Sequence, residues 1–440
     1  MLTTPPSDRV RTTLLEVRRI SLLLRRTFPN RKIMNLNNLR IALMFGLILM
    51  AGSCDIRTSR LIREVNFLMD SLRREHFDDT RTEYWDLNLH GDNGSYSVRG
   101  ELVSRAAYEA LDSALSRNFP DVMNQVVLLT DEKVTPLVNG LVNNSVIHLR
   151  REPSSRTEMV TQAMLGRPVR VLKERDGKAL IQIPQGYLGW VNLPEVHQVD
   201  QQGLARYREA PKVIFTEQYG MAYSEPGEGS LPVADLVLGC ILETDSVSGE
   251  YLRIRYPDGR PGWVRRNQTI PAENVFFREA EGEGLVETAQ MFHGIPYLWG
   301  GTSIKAIDCS GLTSNVYFMN GIQLPRDADQ QTEVGREITT RFTPEGLEPG
   351  DLLFFGRRAS GDDPESVTHV AMYMGDAKYI HSAGYRERVS INSMDSTQEH
   401  YIEHYPEIFI RAVRVLDDAA EYEWAISRNR MLQQIISSTP

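Results

Sequence analysis

The pattern of apolar and polar positions changes several times along the chain. Apolar residues recur at helical spacing over 55–85 and 101–117, which predicts two helices joined by a loop over the Gly-, Asn- and Ser-rich stretch 86–99. From about residue 127, short alternating runs separated by turn residues predict an all-β region. After Pro271 the pattern is mixed and predicts further elements: helices over 283–292, after Cys309 and over 418–436, and strands over 352–355, 367–374, 378–382 and 411–416.

The all-β region contains an internal repeat. Residues 165–191 align without gaps with residues 238–264, at an offset of 73, and both copies end in Gly-Trp-Val. Because repeats mark duplicated structural units, we expect two small β domains in tandem, with Trp190 and Trp263 in their cores. They resemble bacterial SH3-like domains. The copies differ at one position of interest, where Tyr187 in the first corresponds to Arg260 in the second.

The charge is unevenly distributed. The 440 residues carry a net charge of −9, although residues 1–54 hold nine Lys/Arg against two acidic residues. Residues 55–440 therefore have 40 basic against 56 acidic residues, or −16. Nucleic-acid binding depends on basic phosphate contacts, so this acidic body argues against a nucleic-acid partner.

One strongly apolar run, Ile41–Ala51, lies near the start of the chain. It is about half the ~20 residues that a spanning helix needs, follows Arg40, and ends in small residues immediately before Cys54. It resembles a bacterial lipoprotein signal, with Ala51 where such signals usually have Leu, and Met34 would suit it better as a start than Met1. We therefore expect lipidation of Cys54 and a membrane-anchored protein of the cell envelope, periplasmic or outer-membrane-associated. The alternative is a short buried helix.

Three cysteines are present: Cys54, Cys240 and Cys309. Cys240 lies in an apolar run, and so low a density does not predict a disulfide framework. Cys309 remains, in the stretch HGIPYLWGGTSIKAIDCSG over 293–311. It stands where a helix should begin, and the helix dipole together with a histidine would lower the pKa of its thiol and favour the nucleophilic thiolate.

Two histidines are placed to assist Cys309. His369 opens an apolar run, and His381 lies in the next predicted strand, after a turn at Gly375-Asp376. A three-residue loop centred on Gly375 would put His369 opposite His381, whereas a two-residue loop would pair it with Ser382. In the first register His369 could act as base while His381 orients it.

The motifs PYLWGG, DCSG, PGDLLFF, THVAMYMGD and YIHSAG occur in this order within about residues 280–415. In this they resemble the NlpC/P60 family of cysteine peptidases, and with the SH3-like repeats the chain is similar to γ-D-glutamyl-L-diamino acid endopeptidases. The resemblance implies an α+β protein in which two small SH3-like β-barrels precede a papain-like NlpC/P60 catalytic domain. It implies Cys309 as nucleophile, His369 as base, His381 as orienting residue and Tyr297 as a donor to the oxyanion. No cofactor and no metal are implied.

The resemblance also implies a substrate: peptides derived from peptidoglycan, cleaved between D-Glu and the diamino acid to release L-Ala-D-Glu. Asp308 and Ser310 would contact the peptide, Asp308 at its free amino group, with Trp299 as a wall. The first barrel would close the cleft with Tyr187 and with Glu158 or Glu152. Asp327 is a further candidate, in a Pro-Arg-Asp-Ala segment where the family commonly has Ser at the position of Ala328.

These inferences divide the chain as follows: 1–54 basic leader and lipoprotein-type signal peptide; 55–126 helical N-terminal region; 127–205 and 206–275 first and second SH3-like domains; 276–417 catalytic domain; 418–440 C-terminal helix.

Three alternative functions are open. His400, Glu403 and His404 have the H-x-x-E-H spacing of inverted zinc peptidases, on which two histidines could share a helix face. A non-catalytic wall-binding protein and an acyltransferase are the others.

Overall fold

The N-terminal region combines helix and sheet. The computed structural model describes residues 58–77, 79–92, 94–417 and 423–437, so the apolar run and Cys54 lie outside the described residues. Helix α1 covers 58–76, and the elements from Ser71 onward belong to one compact unit. A three-stranded sheet follows, with these elements in order: β1 Trp85–Asp92, β2 Ser95–Leu102, α2 Arg105–Asn118 and β3 Val122–Leu128.

The prediction of a loop over 86–99, within a helical region over 55–126, is therefore wrong. The turn-forming residues that suggested a loop are concentrated at the tip of the β1–β2 hairpin, where Gly94 adopts φ +86°. Strand β3 pairs with β2 in parallel, and α2 makes the crossover between them. Apolar and polar residues alternate in both strands, but few of the apolar side chains are buried. Val98 and Leu102 of β2 are fully buried.

Two seven-stranded sheets come next, and their strand orders are equivalent. The first has the order β10-β4-β7-β8-β9-β5-β6 and the second, taken from β17, the order β17-β11-β14-β15-β16-β12-β13. The strands of the first sheet are β4 Gly140–Val142, β5 Val146–Arg150, β6 Met159–Met164, β7 Pro168–Arg175, β8 Lys178–Gln182, β9 Leu188–Asn192 and β10 Val196–Gln198. Those of the second are β11 Lys212–Phe215, β12 Tyr219–Tyr223, β13 Pro232–Val237, β14 Ile241–Ser248, β15 Tyr251–Arg255, β16 Pro261–Arg265 and β17 Thr269–Pro271.

The offset of 73 residues relates the strands well beyond the aligned segment. It maps β5, β6, β7, β8, β9 and β10 onto β12, β13, β14, β15, β16 and β17, and it maps the 3₁₀ turn Leu193–Glu195 onto Arg266–Gln268. The two sheets are the two tandem β domains that the repeat predicts, and helix α3, Gln201–Glu209, links them. Trp190 is buried, as predicted, whereas Trp263 is only half-buried.

The last part of the chain forms a six-stranded antiparallel sheet with a buried helix against it. The sheet order is β20-β25-β21-β22-β23-β24. Its strands are β20 Arg336–Thr339, β21 Leu352–Arg357, β22 Ser366–Gly375, β23 Lys378–Ala383, β24 Arg388–Ser393 and β25 Phe409–Arg414. The other elements are α4 Glu273–Phe276, α5 Gly282–Gln290, the two-residue strands β18 Thr302–Ser303 and β19 Ala306–Ile307, α6 Cys309–Met319, α7 Ala328–Gln331 and α8 Tyr405–Ile408. Helix and antiparallel sheet pack as separate layers, which makes the fold α+β.

The largest core cluster joins the second SH3-like domain to this α+β domain. It contains Ile241 and Leu242 from β14 together with Phe292 and Val316 next to or within the catalytic-domain helices. Cys240 is fully buried in the same cluster, as expected from its apolar run. In the described part of the chain, each helix is too short or too polar to cross a bilayer.

The C-terminal helix predicted over 418–440 is also wrong for the part that is described, 423–437. Only residues 423 and 424 are helical, and the rest of this part forms two short 3₁₀ turns, Ile426–Arg428 and Leu432–Gln434. Between them Asn429 accepts hydrogen bonds from two backbone N–H groups through its side-chain oxygen and donates to the carbonyl of Pro184. A side chain that bonds to its local backbone competes with helix formation.

Candidate active site

Helix α6 begins at Cys309, as the sequence predicts. Asp308 is its N-cap, and the Asp308 carboxylate accepts a hydrogen bond of 2.7 Å from the backbone N–H of Gly311. The helix is buried on every side from Ser310 to Met319, which is typical of a helix at the centre of a domain. Its first N–H groups have no partner within the helix, and they therefore favour negative charge near the Cys309 side chain.

The glycines of the Trp-Gly-Gly and Cys-Ser-Gly motifs allow close packing around that helix start. Gly300 has φ +75°, and a Cβ there would lie 2.6 Å from the carbonyl oxygen of Met159 in the first SH3-like domain. A Cβ on Gly311 would lie 2.1 Å from the carbonyl oxygen of Gly301. Neither position has room for a side chain, so these glycines bring three segments together at the thiol.

His369 and His381 lie next to each other, but in neither register considered from the sequence. Strands β22 and β23 pair Met372 with Ile380 and Tyr373 with Tyr379, and a bulge precedes the pair Gly375–Lys378. The two-residue loop is Asp376-Ala377, and both of its residues have positive φ, as a type I′ turn requires. Continuing this register puts His381 opposite residue 371, so the two imidazoles meet diagonally on one face of the sheet.

A chain of hydrogen bonds determines which ring nitrogens carry protons. The Asn392 amide donates to the carbonyl of His400, which turns its oxygen towards His381 Nε2, 3.0 Å away. Nε2 of His381 is therefore the protonated nitrogen, and its Nδ1 accepts from His369 Nε2 at 2.9 Å and from the Tyr405 hydroxyl at 3.2 Å. This tautomer, which is assigned from the hydrogen-bond network, leaves His369 Nδ1 without a proton, so that its lone pair can accept one.

The electrostatics favour a neutral cysteine and a neutral histidine at rest. Burial raises the pKa of the Cys309 thiol to about 12, although the backbone N–H groups of Val370 and Ser310 act in the opposite direction. Burial, followed by the neighbouring His381, holds the pKa of His369 well below its usual value. Burial lowers the pKa of His381 to about 4, against the effect of its bond to Asn392. The lowered thiol pKa expected from the sequence is thus not what the structure has, because desolvation exceeds the favourable local contacts.

Tyr297 lies beside the thiol. Burial raises the pKa of its phenol to about 12, and the electrostatic effects of Cys309 and Asp308 act in the same direction. The hydroxyl is therefore protonated at neutral pH and can donate a hydrogen bond. That is the form needed to stabilise an oxyanion.

Cys309 opens into a cleft of about 480 Å³ formed by the α+β domain, the first SH3-like domain and the segment before it. Its lining includes these residues named from the sequence: Tyr187, Glu158, Trp299, Asp308, Ser310 and Asp327. Glu158 accepts a hydrogen bond of 2.9 Å from the indole N–H of Trp299, and Arg151 holds the pKa of Glu158 below its usual value. Glu152 is exposed and is not among the lining residues, so Glu158 is the acid that the first SH3-like domain contributes.

Tyr187 and Asp327 are in contact in the cleft. Tyr187 is buried, and the Asp327 carboxylate lies close enough to its hydroxyl to add to the effect of burial on the pKa of the phenol. Burial raises the pKa of Tyr187 and also that of Asp327, while Arg326 and Arg81 lower the latter. Asp327 is thus an acid of the cleft whose ionisation depends on two neighbouring arginines.

Asp308, by contrast, is engaged by protein donors on both oxygens. Arg326 forms two hydrogen bonds with its carboxylate, at 3.2 and 2.7 Å, and Gly300 N–H donates to it at 2.9 Å. Arg326 is almost fully buried and also donates to Ser310 and to Thr161 of the first SH3-like domain. Asp308 therefore lines the cleft as the centre of a buried charge pair, whereas Asp327, which is paired with Arg81 and Arg326, is the more exposed of the two acids.

Sequence reasoning missed Asn392, Tyr405 and the buried Arg326. Asn392 could have been found from the strand pattern. It stands two residues after Ser390, which pairs with His381 across β23 and β24, and residues two apart in a strand lie on the same face. The H-x-x-E-H motif does not lie on a helix, because His400–His404 precede α8 in turn and extended structure. The premise of two histidines on one helix face is therefore wrong.

Comparisons with known proteins agree with this architecture. The model of the NlpC/P60 family matches residues 294–406, and that of the bacterial dipeptidyl-peptidase Sh3 domain matches residues 149–194. The chain is 32% identical over 268 residues to gamma-D-glutamyl-L-lysine dipeptidyl-peptidase from Bacillus cereus, covering 57% of this chain and 75% of that protein. It is 30% identical over 271 residues to dipeptidyl-peptidase 6 from Lysinibacillus sphaericus, covering 60% of this chain and 94% of that protein.

A solved structure supports the same conclusion at the level of the fold. A NlpC/P60 family protein from Bacillus cereus superimposes with a TM-score of 0.55 at 26% identity, over 63% of this chain and 100% of that chain. The family match covers the segment that holds both Cys309 and the two histidines. The chain belongs to the NlpC/P60 family of cysteine peptidases, with SH3-like β domains preceding its peptidase domain.

Proposed function

We propose that this peptidase hydrolyses the bond between γ-D-Glu and the diamino acid of peptidoglycan stem peptides, and that it releases L-Ala-D-Glu from fragments with a free N-terminal L-Ala. Two relatives whose printed names are gamma-D-glutamyl-L-lysine dipeptidyl-peptidase and dipeptidyl-peptidase 6 support this substrate class. The observation that carries the proposal is the cleft itself. Its lining brings Cys309 together with Tyr187 and Asp327, which we expect to close the end that receives the amino terminus of the peptide.

In this mechanism Nδ1 of His369 removes the proton of the Cys309 thiol as the sulfur attacks the γ-carbonyl carbon. Both groups are neutral at rest, so the proton transfer accompanies the attack. The tetrahedral oxyanion accepts hydrogen bonds from Tyr297 and from the N–H groups at the start of α6. His381 and Asn392 hold the imidazole in the tautomer with Nδ1 free.

Collapse of the intermediate breaks the C–N bond, and His369 donates its proton to the leaving α-amine of the diamino acid. Water, activated by the same histidine, then hydrolyses the thioester and regenerates the thiol. Asp327 and Tyr187 bind the ammonium group of L-Ala, two residues before the cleaved bond. Glu158 and Trp299 form the side wall.

The assignment of the nucleophile is tested by Cys309→Ala and His369→Gln. Both changes remove a group that acts on the reacting atoms, and we expect a loss of at least about 10³-fold in kcat with unchanged thermal unfolding. Hydrolysis that persists at the wild-type rate in Cys309→Ala contradicts the proposal. Because the pKa of His369 is depressed, the wild-type rate should fall only when the pH drops well below 6.5.

Attachment to a membrane is a finer point of the same proposal. A lipid anchor on Cys54 would hold the enzyme at the cell envelope, supported by the apolar run that ends at this cysteine. Labelling with a radioactive lipid precursor tests this, since the label should be lost in Cys54→Ala and retained in Cys240→Ala. Equal labelling of both variants contradicts the anchor.

A further inference from the structure

The lining of the cleft includes a residue from outside both family matches. Arg81 belongs to the segment 79–84, which connects helix α1 to the first hairpin, whereas the family models match residues 149–194 and 294–406. Arg81 lines the cleft together with Tyr187 and Asp327. The N-terminal region therefore contributes directly to the candidate substrate site.

The Arg81 guanidinium is held by three carboxylates. Its Nη1 donates to Asp327 at 2.9 Å, and its two terminal nitrogens form a pair of hydrogen bonds with Asp329, at 2.8 and 2.7 Å. Its Nε donates to Asp79 at 2.7 Å. Even when Arg326, 3.5 Å from Asp327, is included, three acids stand against two guanidinium groups, so the cluster keeps a net negative charge and remains favourable for a further cation.

The backbone of the same segment is anchored at several points. The carbonyl of Arg81 accepts from the N–H of Leu188, the neighbour of Tyr187, at 2.7 Å. Gln330 donates to Asp79 at 3.1 Å, and the carbonyl of Tyr84 accepts from the N–H of Val103 at 3.2 Å. A segment tied to both the SH3-like domain and the α+β domain is a fixed wall, and a bound peptide would not displace it easily.

We infer that Arg81 is a specificity-determining residue: its guanidinium is the end stop of the cleft, which admits a peptide with a free α-amino group and excludes one whose nitrogen carries an acyl or lactyl extension. The inference rests on the proposed function, because it requires the L-Ala ammonium to lie at Asp327. An ammonium fits the remaining space and is attracted by the net negative charge. A longer group at the same nitrogen would overlap the Arg81 side chain, and such a steric clash is an effective way to reject a competing substrate.

The test compares two synthetic tripeptides, L-Ala-γ-D-Glu-L-Lys and its N-acetyl derivative, with wild-type enzyme and Arg81→Ala. Truncation opens the cleft end, so we expect the ratio of kcat/KM for the free over the acetylated peptide to fall at least tenfold. The change should appear mainly in KM, because Cys309 and His369 are untouched. The matched control is Arg265→Ala, which removes an arginine paired with Glu228 and Glu250 in the second SH3-like domain, away from the cleft.

An unchanged ratio in Arg81→Ala overturns the inference, since Arg81 would then only stabilise the fold. A rise in kcat/KM for the free peptide alone also overturns it, because Arg81 would then be an internal cation competing with substrate. If Arg81→Ala fails to fold, as thermal unfolding would reveal, Arg81→Gln shortens the side chain while it keeps a hydrogen-bond donor, and the same fall in ratio is expected. Failure of the proposed function is distinct: the wild-type enzyme would then leave the free tripeptide intact.

Discussion

In the first SH3-like domain, the turn before the Gly-Trp-Val strand carries Tyr187, which is buried and lines the cleft together with Asp327. In the second domain, the equivalent position carries Arg260, which pairs with Asp258 of its own turn at 2.5 Å. The strand orders are the same and the residues are 73 apart. The duplicated unit thus supplies a recognition residue in one copy and a locally paired surface residue in the other.

The two copies also differ in how they contact the peptidase domain. The first has its own core cluster and reaches the α6 region through buried polar groups, Thr161 and Gln162. The second has its core in the main cluster, which it shares with the peptidase domain and to which the first domain also contributes Met164 and Leu165. The second domain therefore packs against the peptidase domain through apolar side chains, whereas the first combines apolar and buried polar contacts and also lines the cleft.

The largest expected difference between the copies is in stability. Trp190 is buried against Leu180 and Leu188, while Trp263 is half-buried. We expect Trp190→Ala to lower the free energy of unfolding by about 3–5 kcal/mol and Trp263→Ala by roughly half as much. Urea denaturation measures both, and equal losses would mean that the two tryptophans are equivalent core residues.

The next largest difference is in catalysis. Tyr187→Phe removes the hydroxyl beside Asp327 that we propose to help bind the substrate ammonium. A hydrogen bond to a charged group is worth about 1.5–3 kcal/mol, so kcat/KM for the free tripeptide should fall about 10- to 150-fold. Arg260→Ala is the matched change in the second copy and should leave kcat/KM within about twofold. Similar losses in the two variants would contradict the division of roles.

The smallest difference concerns the β18–β19 hairpin, which both copies contact. Gln162 of the first domain accepts from the N–H of Thr302 at 2.9 Å in a buried site, and its equivalent Asp235 pairs with the part-exposed Lys305 at 2.6 Å. Gln162→Leu leaves a buried N–H unpaired and should cost about 1–3 kcal/mol of unfolding free energy. Lys305→Met breaks a part-exposed ion pair and a hydrogen bond to Ser145, both of them accessible to water, and should cost about 1 kcal/mol or less. Thermal unfolding of both variants checks this order, and the reverse order would contradict it.

Local patterns predicted much of this molecule. The repeat at offset 73 predicted two equivalent β domains, and the motifs around Cys309 predicted the helix start. The histidine register could not be predicted, because it depends on a bulge near Gly375 that shifts the pairing. The pairing of Asp308 with Arg326 could likewise not be predicted from the sequence, because the two residues lie 18 positions apart and come into contact only in the folded chain. Arg81 lies 246 positions from Asp327 and has no motif of its own.

The central claim is that a free amino terminus is recognised at the end of the cleft while Cys309 cleaves two residues further on. Mass spectrometry of the products from defined stem peptides tests it most directly. The account predicts that the wild-type enzyme releases L-Ala-D-Glu from the free tripeptide, that it leaves the N-acetylated and glycan-linked stems intact, and that Cys309→Ala releases nothing. Equal release from free and glycan-linked stems, or release by Cys309→Ala, would contradict it.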